Sequence, residues 1–344
     1  MNVGICGYPG SGKTTVFSAL APGARPQKGV SLGSIKVPDD RVDRLAALFH
    51  PRKTTYAELV FVDVPGEVGR GVGAFHPQVV QAMRNSDLLV HVVRGFESPY
   101  HDTPPDPDRD VALFDDESVL LDLAILEKRA ERWHKEAHKG LDVDVNERCV
   151  ACLSEGRPLR TLDLDEGERA TLSGIQLLSL KPLVLLHNLS EAAWENAASA
   201  PLRAVSRPAP RTVQMGICGA LEAELAALSP EDQPEMLAGL GLAEPARNVF
   251  IRVAYDLLDL VSFLTCGEDE CRAWPLRRGW NARRAAGRIH SDLERGFIRA
   301  EVYRLEDLEA AGSEAALRVQ GKIRVEGKDY VVQDGDVLHV RFAV

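Results

Sequence analysis

Near its amino terminus the chain reads Gly7-Tyr8-Pro9-Gly10-Ser11-Gly12-Lys13-Thr14, which fits the pattern G-x-x-x-x-G-K-[ST]. An apolar run of strand length, residues 3–6, precedes it, and helix-forming residues follow it from Thr15 to residue 20. In this context the glycines let successive backbone N–H groups point at one anion, and the start of the helix adds positive charge. We therefore interpret residues 7–15 as a phosphate-binding loop.

Four residues in and after this loop have the chemistry of a magnesium–nucleotide site. Lys13 can neutralise terminal phosphates, and the hydroxyl of Thr14 is a ligand that Mg²⁺ takes in P-loop proteins. Asp63 ends a second apolar run, and Gly66 follows in Asp63-Val64-Pro65-Gly66. An acid at such a strand end holds Mg²⁺, and a nearby glycine N–H can bind the γ-phosphate. The sequence predicts ATP or GTP bound with Mg²⁺.

Further apolar runs indicate an α/β fold, a mostly parallel sheet flanked by helices. Runs at 59–63, 88–93, 183–187 and 212–215 have strand length, and helical stretches separate several of them. Alternation of strands and helices is typical of parallel sheets. The proline-rich run 103–108 is predicted to be an exposed loop, because proline interrupts helices and strands.

An inserted helical arm is predicted over residues 117–179. Apolar side chains recur there every three or four residues, at Val119, Leu123, Leu126, Ala130, Trp133 and Ala137. The arm also contains Cys149 and Cys152, preceded by two histidines, His134 and His138, which are residue types of a zinc site. The alternative interpretation, which the sequence favours, is two cysteines on the buried face of a helix.

A separate small α+β domain is predicted for residues 262–344. Strand-like pieces occur at 297–304, 321–325, 330–332 and 337–342, with a turn at 334–336. The predicted domains are therefore a nucleotide-binding domain at 1–116 and 180–261, the arm at 117–179, and this terminal domain.

Charge and composition restrict the partners. The formal net charge is −10, yet the arginines from Arg277 to Arg299 form a local basic cluster that suits phosphate groups. A solvated face that balances acidic neighbours is the alternative interpretation of this cluster.

The composition also bears on the compartment. No apolar run approaches the roughly 20 residues of a membrane span, no export signal is visible, and six cysteines fit a reducing compartment. We expect a cytoplasmic protein without a membrane or DNA partner.

The base-reading element is expected after a later strand, where the chain reads Asn188-Leu189-Ser190-Glu191. GTPases carry Asn-Lys-x-Asp there, and its aspartate accepts hydrogen bonds from guanine. Here Leu189 replaces the lysine and Glu191 the aspartate. A guanine donor left without its acceptor costs about 1–3 kcal/mol, so discrimination for guanine is in question.

Together these motifs resemble the YchF (Obg-like ATPase) family nearly end to end. The resemblance also includes two longer strings, His91-Val92-Val93-Arg94-Gly95-Phe96-Glu97 and Glu326-Gly327-Lys328-Asp329-Tyr330-Val331-Val332-Gln333-Asp334-Gly335-Asp336-Val337. It implies a GTPase-type domain that prefers ATP, an inserted helical arm, a terminal TGS domain and association with ribosomes. It further implies that Cys218-Gly219-Ala220 is the last base-contacting loop.

Two departures from the family pattern concern hydrolysis. The family's first switch carries a threonine, whereas residues 22–28 contain none, so Ser31 or water would have to replace it. Glu67 stands where many GTPases have the glutamine that orients water. In the family a histidine after the Val-Val-Arg strand takes that role, and His101 is the candidate here, since imidazole can orient water. A protein that binds nucleotide without hydrolysis and a conventional GTPase are the alternatives.

Overall fold

The computed structural model describes most of the chain, namely residues 1–22, 31–63, 75–98, 101–196 and 205–343. Its contacts divide the chain into two compact units, and each unit is built from separate parts of the sequence. The first comprises Met1–Ile35 and Val60–Leu257, and the second comprises Lys36–Leu59 and Leu258–Val344. No helix in the described ranges is both long and apolar enough to cross a membrane.

The first unit contains a mostly parallel sheet. Numbered along the whole chain, its described strands are β1 (Asn2–Cys6), β2 (Ser31–Lys36), β4 (Glu58–Asp63), β5 (Leu88–Gly95), β6 (Leu183–Leu189), β7 (Ser206–Ala209) and β8 (Thr212–Ile217). Their order is β2-β4-β1-β5-β6-β8-β7. The pairs from β4 to β8 are parallel, and β7 is antiparallel to β8. The predicted α/β sheet is confirmed.

The register of this sheet brings the ends of its central strands to one edge. Ile5 pairs with Asp63 and Cys6 pairs with His91. Arg94 pairs with Asn188. In a parallel sheet the carboxyl ends of neighbouring strands meet, and ligands bind in the crevice beyond them. The glycine-rich loop after β1 therefore lies at the same edge as the ends of β4, β5 and β6.

Helices connect these strands. Within the described residues they are α1 (Lys13–Leu20), α3 (Pro77–Arg84), α4 (Pro107–Glu136), α5 (Leu141–Ser154), α6 (Glu166–Leu172), α7 (Glu191–Glu195), α8 (Gly219–Ala227), α9 (Gln233–Gly239) and α10 (Ala246–Leu257), with a short 3₁₀ turn at Leu159–Thr161. The longest of them, α4, forms the arm together with α5 and α6. Proline at the start of α3, α4 and α9 fits the first helical turn, where no backbone N–H is needed.

The arm has a core of its own. Val119, Leu126 and Trp133 are buried on α4, as the apolar period predicts, whereas Ala137 caps the helix and is exposed. Cys149 and Cys152 belong to this core, and burial raises the pKa of the Cys149 thiol to about 11. No group of three metal-ligating side chains occurs within the described residues. Cys149 and Cys152 both lie in α5 with buried side chains, as the interpretation as buried helix cysteines expects.

The second unit contains a six-stranded mixed sheet. Its described strands are β3 (Lys53–Thr55), β9 (Leu260–Thr265), β10 (Glu270–Arg277), β11 (Phe297–Arg304), β12 (Arg324–Glu326) and β13 (Asp336–Phe342), in the order β12-β11-β13-β9-β10-β3. Its described helices are α2 (Asp40–Phe49), α11 (Ala282–Ile289), α12 (Ser291–Arg295), α13 (Leu305–Ala311) and α14 (Glu314–Val319). The buried face of α11 packs on this sheet through Ala282 and Ala285.

The structure corrects two local predictions. Residues 330–332 form no strand, since only Val331 makes an isolated bridge, to Asn281. The run 103–108 is not all loop, because α4 begins at Pro107 and the side chain of Asp106 caps it, accepting a hydrogen bond from the N–H of Arg109 at 3.1 Å. Proline is tolerated at that position.

The domain boundaries at 116, 179 and 261 stay predictions. The compact units divide the chain differently, because residues 36–59 belong to the second unit.

Candidate nucleotide-binding site

The glycine-rich loop has a backbone conformation that only glycine adopts easily. Gly10 and Gly12 have φ angles of +74° and +83°. A Cβ on Gly12 would collide with Nδ2 of Asn188, and one on Gly10 would collide with Nε2 of His101. Any other residue at these positions would have to displace His101 or Asn188 and adopt a positive φ angle. The backbone conformation and the close approach of these two side chains therefore both favour glycine.

Lys13 and Asp63 place opposite charges beside this loop. Both residues are buried, with only 8% of the surface of each exposed to solvent. Burial lowers the pKa of Lys13, and the charge of Asp63 opposes that shift. Burial likewise raises the pKa of Asp63, and Lys13 opposes it. The Nζ of Lys13 donates to the carbonyl oxygen of Tyr8 at 2.9 Å. A cation and a carboxylate held so close to a curved backbone suit a phosphate–metal pair.

The hydroxyls near the loop differ in exposure. Thr14 and Thr15 in α1 are exposed to solvent. Ser11 is buried, and its Oγ has no hydrogen-bond partner among the described residues. Ser31, the proposed substitute for the switch threonine, is buried at the start of β2. An unpaired buried hydroxyl is costly, so Ser11 has capacity to bind a polar group at this site.

Asn188 joins two of the predicted site segments. Its Nδ2 donates to the carbonyl of Ser11 at 3.0 Å, and its Oδ1 accepts from the N–H of Gly219 at 3.0 Å. The side chain thus connects the end of β6 with the glycine-rich loop and with the start of α8. Sequence reasoning placed Asn188 beside the base, and the structure adds this bridging role.

The rest of the predicted base-binding segment lies around Asn188. Leu189 and Cys218 pack together with Trp194 in a small apolar cluster. Burial raises the pKa of the Cys218 thiol. Glu191 is exposed at the first turn of α7, and Ala220 is exposed in α8. Glu191 and Ala220 therefore face solvent, whereas Leu189 and Cys218 are buried.

His101 lies against the glycine-rich loop, as its closeness to Gly10 indicates. Its backbone N–H donates to the carbonyl of Ser98 at 3.1 Å. The structure thus brings the predicted water-orienting histidine next to the predicted phosphate site. Gly66 and Glu67, and the threonine-free segment 23–30, lie outside the described residues.

This chain is similar to proteins of one known family over its whole length. The family described as "YchF-GTPase_C: Protein of unknown function (DUF933)" matches residues 260–343. The ribosome-binding ATPase YchF of Escherichia coli O157:H7 is 36% identical over 368 residues, which cover 99% of each chain. The protein of the same name from Bacillus subtilis (strain 168) is 35% identical over 100% of both chains. The chain belongs to the YchF family.

A solved structure supports the fold of this YchF-family chain. The Schizosaccharomyces pombe YchF GTPase is 28% identical to it and matches with a TM-score of 0.84, covering 99% of this chain and 97% of that one. The predicted P-loop architecture is thereby confirmed over the length of the chain. The assignment of the terminal domain as TGS-like stays a prediction.

Two buried polar residues of β5, the strand that ends beside this YchF-family site, were not assigned a role from the sequence. His91 in β5 is fully buried between Tyr8 and Phe114, with its ring stacked on Phe114 at a centroid distance of 4.3 Å. Burial, and then the charge of Lys13, lower the pKa of His91 to about 3. Arg94 at the end of β5 is also buried. The sequence signal for both is a polar residue within an otherwise apolar strand.

The basic cluster of the second unit is partly neutralised. Arg278 pairs with Asp259 at 3.0 Å, and Arg295 pairs with Asp292. Three arginines on the exposed face of α11 have other contacts: Arg283 and Arg288 donate to backbone carbonyls, and Arg284 lies 4.9 Å from the ring centre of Trp280. Their charges have no carboxylate partner within the described residues. The exposed face of α11 is therefore the more cationic part of the cluster.

Proposed function

We propose that this chain binds ATP with Mg²⁺, hydrolyses it slowly, and associates with ribosomes in the cytoplasm. The observation that carries the nucleotide part is the pair of buried charges, Lys13 and Asp63, beside a glycine-rich backbone turn. The relatives from Escherichia coli and Bacillus subtilis are named ribosome-binding ATPases, which supports the wider proposal.

The residues present fit a magnesium–triphosphate group. The backbone N–H groups of residues 7–14 and the ammonium of Lys13 bind the phosphates. Thr14 and Asp63 would hold Mg²⁺, which when bound would supply charge neutralisation for the phosphates. Thr15 would add to the phosphate contacts, as would Gly66, which lies outside the described residues. Lys13 is already desolvated, so its interaction with a phosphate is stronger than in water.

Adenine is the proposed base. The amide of Asn188 is occupied by Ser11 and Gly219, so it holds the walls of the base site together. The last base-contacting loop is Cys218-Gly219-Ala220, and Glu191 is the carboxylate of the Asn-x-x-Glu element. Competition between ATP and GTP in the presence of Mg²⁺ tests this part, and a clear preference for GTP overturns it in favour of a conventional GTPase.

His101 is the proposed residue that orients water. Its ring lies at Gly10, beside the phosphate loop, where an imidazole nitrogen can accept a hydrogen bond from water. The alternative is a protein that senses nucleotide without hydrolysing it, because residues 23–30 contain no threonine and Glu67 replaces a glutamine. Single-turnover measurements with and without ribosomes separate the two proposals.

The nucleotide site is tested by Lys13→Ala. Loss of the charged contact is expected to weaken Mg-ATP binding in calorimetry by roughly tenfold to a hundredfold. Lys128→Ala, at an exposed lysine of α4, is the control and should bind like the original chain. Unchanged affinity in Lys13→Ala refutes the site.

Ribosome contact is proposed through the second unit, on the arginines between Arg277 and Arg299. Reversing the charges of Arg283, Arg284 and Arg288 to Glu in the full chain should weaken pelleting with ribosomes and reduce its dependence on salt. Since each phosphate contact contributes about 0.7–0.9 to the salt slope, the slope should fall by about 2–3. The matched variant reverses Lys128, Arg132 and Lys135 on α4. Loss of pelleting only in that variant would assign the contact to the arm.

A further inference from the structure

Arg94 is a buried arginine whose hydrogen bonds go to the backbone. It ends the buried part of β5 and is only 8% exposed. Removing a guanidinium from water is unfavourable unless its N–H groups find acceptors. The acceptors here are backbone carbonyl groups of residues that follow β5 in the chain. The role of Arg94 therefore depends on which segments of the chain these residues lie in.

Two of these carbonyls precede the long helix. Nη2 of Arg94 donates to the carbonyl of Thr103 at 3.0 Å and to that of Pro104 at 3.1 Å. Nη1 lies 3.4 Å from the carbonyl of Phe96, next to the strand end. Pro104 and Pro105 have no N–H to hydrogen-bond. One guanidinium thus holds the chain where it leaves β5 and where it approaches α4.

His101 lies between these two attachment points. Thr103 follows it by two residues, and on the other side the N–H of His101 donates to Ser98. The ring of His101 packs so closely on Gly10 that no Cβ fits there. The backbone that carries His101 is therefore fixed by Arg94, while the ring is fixed by contact with the glycine-rich loop.

We propose that Arg94 is a positioning residue that holds His101 at the phosphate loop. This inference rests on the proposed function, in which His101 orients the attacking water. Orientation of a reacting group is sensitive to small displacements, and a shift of about 1 Å can cost on the order of a hundredfold in rate. Arg94 itself contacts carbonyl groups and not the nucleotide site, so its effect is on rate and not on ATP affinity.

The geometry requires arginine in particular. One planar guanidinium presents its N–H groups in a fixed fork, so that Nη1 faces the carbonyl of Phe96 while Nη2 donates to those of Thr103 and Pro104. A lysine at this position keeps the positive charge but loses that fork. Arg94→Lys is therefore expected to resemble Arg94→Gln in its effect on His101, which separates positioning from a purely electrostatic contribution.

The kinetic test uses the full chain with Mg-ATP. Arg94→Gln and Arg94→Lys are expected to slow single-turnover hydrolysis by on the order of tenfold or more, with equilibrium affinity for Mg-ATP within about twofold of the original. In the His101→Ala background, Arg94→Gln should slow the reaction no further. Arg160→Gln is the control: Arg160 is also buried, but its guanidinium pairs with Asp115 and not with the carbonyls that Arg94 holds, so ATP hydrolysis by this variant should proceed at the original rate.

A second measurement needs no hydrolysis. Diethyl pyrocarbonate modifies accessible histidine rings, and mass spectrometry gives the rate at His101. Release of His101 from Gly10 should raise that rate several-fold in both Arg94 variants but not in Arg160→Gln. An unchanged modification rate at His101 in folded Arg94→Lys overturns the inference, whether or not the protein hydrolyses ATP.

The possible failures are distinct. If His101→Ala hydrolyses ATP like the original chain, the proposed role of His101 is wrong. The rates of diethyl pyrocarbonate modification then test by themselves whether Arg94 holds His101 in place. If His101→Ala is slow while both Arg94 variants are fast, Arg94 does not position it. A loss of ATP affinity in the Arg94 variants, or fully additive rate effects, also contradicts the inference.

Discussion

Asp122 is a carboxylate in the middle of α4 that is completely buried. It accepts hydrogen bonds from the N–H of Leu178 at 3.0 Å and from both the N–H and the hydroxyl of Ser179 at 2.7 Å. These residues lie just before β6, which starts at Leu183. Burial raises the pKa of Asp122, and the bonds from Ser179 oppose that shift. One side chain thus connects the arm to the sheet.

Replacing Asp122 with alanine is expected to lower the free energy of unfolding by about 3 kcal/mol, because buried N–H groups lose their acceptor. Urea unfolding at neutral pH measures this. Asp116→Ala, at an exposed position of the same helix, should change stability by less than about 0.5 kcal/mol. An equal loss of unfolding free energy in both variants would show that the buried hydrogen bonds to Asp122 do not stabilise the fold.

At the scale of elements, two neighbouring strands carry buried histidines. His91 lies in β5 and His187 in β6, and the register pairs Val93 with His187. Burial lowers the pKa of both rings. Lys13 and Arg160 place positive charge around His91, and a protonated His187 would add to it. The two strands therefore pack only while both histidines are neutral.

This makes stability depend on pH. The unfolded chain binds protons on these histidines below pH 6.5, while folded His91 stays neutral down to about 3. The free energy of unfolding should therefore fall as pH drops below 6.5 toward 5, and His91 alone should contribute up to about 1.4 kcal/mol per pH unit to that fall. His91→Phe should remove the contribution of one proton, up to about 1.4 kcal/mol per pH unit, from the pH dependence of the free energy of unfolding. Urea unfolding at several pH values measures this change.

The control is His134→Gln. His134 is exposed on α4, so this substitution should leave the pH slope unchanged. If His91→Phe has the slope of the original chain, His91 is protonated in the folded state and the packing argument fails.

Strands of the first unit were predictable because their sequence runs are apolar on both faces, as at residues 183–187. The motif residues followed, since the carboxyl ends of parallel strands meet. The role of Arg94 was not predictable, because its acceptors are carbonyl groups whose positions depend on the path of the chain toward α4. The prediction of a strand at residues 330–332 is wrong for a similar reason. Valine is common in strands, but Val331 forms only one isolated bridge, to Asn281.

At the scale of the whole molecule, the second unit is assembled across a long sequence separation. β3 pairs with β10 in parallel, from Lys53 opposite Glu270 to Thr55 opposite Arg272. Arg41 in α2 pairs with Asp334 at 2.8 Å, and Arg44 pairs with Glu309. Local patterns cannot reveal such pairing, and we therefore assigned residues 36–59 to the nucleotide-binding domain.

An isolated fragment of residues 258–344 is consequently expected to be less stable than the same fragment joined to residues 36–59 by a flexible linker. Without β3 the edge of β10 is unpaired, and α2 no longer covers it. Urea unfolding of the two fragments measures the difference. Equal midpoints would mean that residues 36–59 contribute no stability to this unit.

The pairing of β3 with β10 also sets an order for synthesis. The hydroxyl of Thr55 donates to Glu270, which is translated 215 residues later. At about 5–20 residues per second, Thr55 leaves the peptidyl transferase centre roughly 10–40 s before its partner exists. During that interval a nascent segment bearing an unpaired strand edge is exposed to chaperones and to other emerging chains.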